Sequence, residues 1–154
     1  MFICAIDPGN TQSAFVTMGA DYKPIDYGKL DNEALIDLIT PEFVVVLEQV
    51  ACYGMGVGEE VFETVFWTGR FYERALKVCP EKPVRIRRMT VKMNLCHSSR
   101  AKDTNIILAL TDRFGGRKTK AEPDAWFPAQ RMGWADDVWQ AYALGVTALD
   151  TIPF

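Results

Sequence analysis

Residues 2–11 read Phe2-Ile3-Cys4-Ala5-Ile6-Asp7-Pro8-Gly9-Asn10-Thr11. Five apolar residues in succession have the form of a strand covered on both faces, as in the middle of a parallel or mixed sheet. The run stops on a carboxylate, and Pro8-Gly9 follows at once. Asp-Pro-Gly is ordinary turn chemistry, since aspartate accepts local backbone hydrogen bonds and proline presets the turn. Asp7 is therefore either a turn residue or a carboxylate presented at the end of a central strand. A second stretch has the same form: Phe43-Val44-Val45-Val46-Leu47 is apolar throughout and stops on Glu48.

Working outward from these two strands, residues 12–19 and 24–29 read as two further strands of an antiparallel meander, joined by turns containing glycine and aspartate. Asn32 to Ile39 reads as a short helix closed by Thr40-Pro41. After Glu48 a glycine-rich loop, Tyr53-Gly54-Met55-Gly56-Val57-Gly58, leads into a helix from Glu59 to Lys77. Its Val61, Val65, Tyr72 and Leu76 recur at helical spacing. Gly69 inside that helix is costly unless another backbone approaches closely there. Pro83 to Arg88 reads as a short strand, followed by a loop rich in basic and sulfur-containing residues, a helix over 100–114, an irregular loop over 117–133, and a last helix from Asp136 to about Leu149. Three strands, helix, strand, helix, strand and two helices predict one α/β domain over residues 1–154: a mixed five-stranded sheet flanked by helices, the build of the ribonuclease H-like fold.

The 154 residues suffice for one self-supporting core. With 49% hydrophobic and 24% charged residues, and no apolar run near the roughly 20 residues of a membrane span, the expectation is a cytoplasmic protein without a signal peptide or membrane segment. Cys4, Cys52, Cys79 and Cys96 form no CxxC pair, and Cys96-His97 has no second ligand pair at zinc spacing, so reduced thiols are expected and no zinc. The net charge of −3 hides an asymmetry: residues 1–69 carry −9 and residues 70–154 carry +6. A basic second half in an acidic chain suggests one face made for a polyanion such as nucleic acid.

Neighbouring strands lie roughly 4.8 Å apart, so carboxylates ending adjacent strands can share one cation. Asp7 and Glu48 qualify if their strands are neighbours, and Asp136-Asp137 at the start of the last helix can supply the third group. Gathered carboxylates repel one another, and Mg²⁺ or Mn²⁺ relieves that repulsion while also binding phosphate oxygens. Two such ions about 4 Å apart suit phosphodiester hydrolysis. The competing reading makes Asp7 a turn residue and Asp136-Asp137 helix-start acids.

At this point the residues resemble a known family. AIDPG resembles the opening of RuvC-type Holliday junction resolvases, and VVVLEQV resembles their second motif. The runs VFETVFWTGRF, VKMNLCHSSRAKDTNIILALTDRFGG and DDVWQAYALGVTALD resemble the small RuvC-like resolvases of bacteriophages. The resemblance runs from Phe2 to about Asp150. It implies a homodimeric, Mg²⁺-dependent endonuclease cutting four-way junctions or other branched DNA, working in the cytoplasm of a bacterial host if phage-encoded. It implies metal ligands at Asp7, Glu48 and Asp137, with Asp136 beside them. RuvC proteins usually carry an acid three positions after the first helix ligand, where this chain has Gln140. In the same frame Lys92, Arg100 and Lys102 fall where cations approach the scissile phosphate, with Lys102 counted among the catalytic groups. Arg85, Arg87, Arg88, Arg117, Lys118 and Lys120 are backbone contacts, and Tyr53 and Met55 are candidate wedges into an opened junction. Phe62, Phe66, Trp67 and Phe71 offer more aromatic surface than one helix face needs, which suits a dimer. The rival expectations are a nuclease for RNA–DNA hybrids, a non-catalytic branched-DNA binder motivated by Gln140, and a sugar-kinase-like ATPase, for which one domain of this size is too small.

Overall fold

The two apolar strands are indeed neighbours. In the computed structural model, which describes residues 1–114 and 134–154, β1 (Phe2–Asp7) pairs in parallel with β4 (Phe43–Gln49), in a register that sets Ile3 against Val44 and Ile6 against Leu47. On its other side β1 pairs antiparallel with β2 (Gln12–Gly19), and β2 with β3 (Pro24–Asp31). The short strand β5 (Val84–Arg87) adds in parallel to β4. The sheet order is β3-β2-β1-β4-β5, so the two strands that end on carboxylates lie side by side at its centre.

Side chains alternate between the two faces of a sheet, and both faces here are covered. Ile3, Ala5, Ala14, Val16, Met18, Val46 and Ile86 belong to one core, which packs under α3 (Arg88–Cys96), α4 (Asp103–Arg113) and α5 (Asp136–Thr151). Cys4, Ile6, Phe15, Val45 and Leu47 belong to the other, closed by Leu35 and Ile39 of and just beyond α1 (Asn32–Leu38) and by Phe71 and Ala75 of α2 (Glu59–Val78). Helix α5 lies close on β1 and β2: a Cβ on Gly145 would stand 3.3 Å from Ala5 Cβ and 2.5 Å from Met18 Sδ. Glycine there lets the helix bring its first turn down beside the ends of the strands.

The architecture is the α/β, mixed five-stranded arrangement expected, with five helices among the described residues. One element differs. The segment after β5, read as a loop, is the nine-residue helix α3. Only Val91 of it is buried, with Leu95 one turn on packed against the core, and so short an apolar stripe is not legible as a period. Helix α4 starts at Asp103 instead of Arg100, and Asn105 Oδ1 accepts the Lys102 backbone N–H at 2.8 Å. No backbone approaches Gly69, where an added Cβ would meet nothing within 4 Å. The expected irregular segment 117–133 lies outside the described residues. Among the described residues no helix is long and apolar enough to cross a membrane.

Candidate active site

Because Ile6 faces Leu47, the next residues on the two strands are Asp7 and Glu48. By alternation each shares the face of Ala5 and Val46, the face covered by α5. Their carboxyl groups lie close enough that each acts on the titration of the other. Burial, then the charge of Glu48, pushes the Asp7 carboxyl up to about 8, with Arg88 opposing and Asp137 adding to the rise. Burial also raises Glu48, against the pull of Arg88. Burial and like charge disfavour the doubly ionised pair, and a bound cation would relieve both.

The turn after Asp7 is built to stay open. Gly9 N–H donates to Ser13 Oγ at 3.0 Å, Ser13 Oγ–H donates to Asn32 Oδ1 at 2.6 Å, and Asn32 Nδ2–H returns to the Gly9 carbonyl at 3.0 Å. A Cβ on Gly9 would lie 2.1 Å from the Gln12 carbonyl oxygen, so this position takes glycine alone. Asp7 is thus both the last residue of the strand and the first of the turn, and neither of its two readings excludes the other. Beside it lies a cleft of about 310 Å³ lined by Asp7, Pro8, Glu48, Tyr53, Thr64 and Arg88, among others.

The third expected carboxylate approaches from α5. Asp137 is close enough to raise Asp7, yet its Oδ2 is held at 2.7 Å by the Nζ of Lys29. Lys29 stands in one row with the site, since Asp7 pairs with Ala14 and Ala14 with Lys29. The small Ala14 leaves room for a long side chain to cross toward the helix. Asp136 is exposed at the first position of α5. Among the described residues no three carboxylate, imidazole or thiol groups are gathered tightly enough to hold an ion as they stand. The structure brings Asp7 and Glu48 together, sets Asp137 nearby under Lys29, and leaves Asp136 outside.

The basic residues separate by burial. Arg88, expected at the DNA backbone, instead turns inward: one guanidinium nitrogen lies 3.6 Å from Glu48 Oε2 and another bonds Asp103 Oδ1, with the side chain only 19% exposed. Lys92, one turn along α3, is half-buried and near enough to act on Glu48. Arg85, Arg87, Arg100 and Lys102 are exposed, Arg85 lying over the ring of Tyr72 at 5.5 Å. Arg117, Lys118 and Lys120 lie outside the described residues. Tyr53 is exposed, holds a left-handed φ of 48° and lines the cleft, whereas Met55 is 74% exposed and does not. His97 is the exposed left-handed cap of α3.

Gln140 lies one turn into α5 from Asp137. It is 3% exposed, and neither its amide oxygen nor its amide nitrogen has a hydrogen-bond partner among the described residues. A buried amide left unsatisfied is costly, so an additional group is expected there. The hard carboxylate oxygens of Asp7 and Glu48 are donors of the kind that fits Mg²⁺ or Mn²⁺. Sequence reading missed Lys29, Asp103, Ser13 and Asn32. The first two are ordinary surface charges in one dimension. The Asn32 signal was present, but as a helix start.

Comparison with solved structures bears on the fold. The chain superposes on a Thermus thermophilus RuvC structure with a TM-score of 0.67 at 15% identity, covering 96% of this chain and 92% of that one. It superposes on T. thermophilus RuvC in complex with a Holliday junction substrate with a TM-score of 0.63, again at 15% identity and the same coverage. No protein-family model matches, and neither does any curated protein sequence. The fold is therefore an α/β fold of the ribonuclease H-like class. Within that class it is the fold of RuvC, as the ordered sequence motifs implied.

Proposed function

We propose that this chain is a divalent-metal-dependent endonuclease acting on branched DNA, with four-way junctions as its principal substrate. The observation that carries the reading is the buried carboxyl pair Asp7–Glu48 at the ends of adjacent central strands, opening into a cleft with Arg88. The RuvC fold and the structure of RuvC on a Holliday junction support the choice of substrate. Asp7, Glu48 and Asp137 would hold Mg²⁺, with Mn²⁺ as a substitute and Asp136 at the margin. When bound, the metal activates water and stabilises the leaving oxygen of a phosphodiester. Arg88 and Lys92 set positive charge beside Glu48, where a phosphate is drawn in and its developing charge offset. Arg87, Arg100 and Lys102, exposed around the same edge, suit contacts to the DNA backbone, which give affinity without sequence selection. Tyr53, held out by its left-handed backbone, suits stacking on an unpaired base at the cleft.

Two identical cuts in a two-fold symmetric junction call for two sites, and α2 offers a surface on which a second copy would dock. Phe62, Val65, Phe66, Gly69 and Leu76 follow helical spacing along its outer side, with Phe62 64% and Phe66 57% exposed. Phe71 is instead fully buried and belongs to the core, so only part of the aromatic set is left for a partner.

Cutting assays with Mg²⁺ or Mn²⁺ on a four-way junction, a flap and an RNA–DNA hybrid test the assignment. Junction nicking that Asp7→Asn abolishes, with junction binding retained, is the expected result. Equal cutting of all three substrates would remove the resolvase assignment. A second reading, a junction binder without cleavage, draws on Lys29 and Arg88 already occupying the carboxylates. Binding with no nicking under either metal would favour it.

A further inference from the structure

We infer that Asp103 is a positioning residue of this site: it holds the Arg88 guanidinium in the cleft beside Glu48, so that Arg88 meets the substrate phosphate already oriented. The inference rests on the nuclease reading above and adds to it a residue outside the lining of the cleft. Glu48 pairs with Ile86 across β4 and β5, and Arg88 follows two residues later at the first position of α3. For the helix itself that is the wrong place for a cation. The N-terminus of a helix carries partial positive charge, and the first turn of α3 has no acidic residue to offset it. Arg88 is therefore set there at some cost to α3, and the compensation comes from Glu48 on one side and Asp103 on the other.

The two carboxylates differ in what they can fix. The Arg88 nitrogen nearest Glu48 is 3.6 Å from Oε2, which is charge attraction without a hydrogen bond. The other terminal nitrogen donates to Asp103 Oδ1, and a charge-assisted bond of this kind sets the orientation of the planar fork. The dependence runs one way. The Asp103 side chain is 56% exposed and is solvated with or without Arg88, whereas the Arg88 side chain is 19% exposed and has to find its partners inside the protein. Glu48 is also the carboxylate that a metal would engage, which leaves Asp103 as the anchor. Asp103 is itself well fixed at the start of α4: Ile106 and Leu110 hold that helix in the core, and Asn105 Oδ1 accepts the Lys102 backbone N–H at 2.8 Å. A guanidinium has five N–H donors, so the bond to Asp103 leaves others for a phosphate in the cleft that Arg88 lines.

The test is the rate of four-way junction cutting by the full chain with Mg²⁺ at saturating protein, beside junction affinity measured in chelator. Asp103→Ala is expected to slow cutting roughly 10- to 100-fold, the loss that follows when a contact to the reacting group is misplaced by about an ångström. Affinity is expected to stay nearly unchanged, because Arg87, Arg100 and Lys102 remain exposed to the DNA. Asp103→Glu keeps a carboxylate at the same place on the helix and is expected to recover most of the rate. In the Arg88→Ala background, Asp103→Ala is expected to slow cutting no further, since nothing is left to position. A role confined to the start of α4 would instead give the same deficit in both backgrounds. Wild-type cutting with Asp103→Ala at the wild-type rate, or an equal deficit in the two backgrounds, would overturn the inference and leave the nuclease reading standing. No junction cutting by the wild-type protein would remove both. If Asp103→Ala does not fold, Asp103→Asn makes the same comparison, since it keeps the size of the side chain and removes the charge that strengthens the bond.

Discussion

Asp7 and Glu48 are set where burial disfavours the charged carboxylate, and the consequence is measurable without DNA. With the Asp7 carboxyl raised from 3.8 to about 8, the folded metal-free chain binds a proton that the unfolded chain has released. Stability from that proton is therefore fully present below about pH 4 and is lost as pH rises through about 8. In chelator the wild-type protein is expected to lose on the order of 1–3 kcal/mol of stability over that range. Asp7→Asn is expected to flatten the slope and to be the more stable protein at pH 8, and divalent metal to restore the wild type. Denaturant melts at several pH values check this. A wild-type protein that gains stability in chelator between pH 6 and 8.5 would contradict the raised Asp7 carboxyl.

At the scale of elements, the site depends on one turn and one helix. The loop from Asp7 to Gln12 is closed by Ser13, Asn32 and Gly9, none of which touches the cleft. Gly9→Ala drives a Cβ into the Gln12 carbonyl and is expected to cost about 2 kcal/mol, as overpacking against rigid backbone does. It is also expected to lower junction cutting, because the backbone carrying Asp7 has to move. Thermal unfolding and cleavage rate measured on the same preparation check both parts; unchanged stability would show that the turn relaxes freely. Helix α5 plays the matching role on the other side, brought close by Gly145 so that Asp137 reaches the row of Asp7, Ala14 and Lys29.

For the whole molecule the feature that bears on assembly is the exposed apolar side of α2. Its inner side is in the core through Thr68, Phe71 and Ala75, while Phe62, Val65, Phe66 and Leu76 face outward around a glycine with free space over it. A second copy would put the small Gly69 where two helices cross closely. Phe62→Lys with Phe66→Lys is expected to give a folded monomer where the wild type sediments as a dimer, because exposed side chains carry little of the core. Sedimentation velocity distinguishes the two, and a wild-type monomer at micromolar concentration would remove the dimer from the proposal.

The sequence by itself determined the central strands, their carboxylate ends, the turn after Asp7 and the class of fold, because uninterrupted apolar runs and Asp-Pro-Gly act locally. Pairing Asp7 with Glu48 needed only the additional step that two such strands lie together. What only the tertiary structure decided is the state of the site. Lys29, Arg88 and Asp103 are distant in the chain from the carboxylates they meet or surround, and their roles depend on register across the sheet and on a helix too short to announce itself. The stretch FICAIDPGNT shows a carboxylate set at the end of a central strand. The cations already beside it depend on which strands and helices end at the same edge, since charge acts through space and a linear pattern carries no distances.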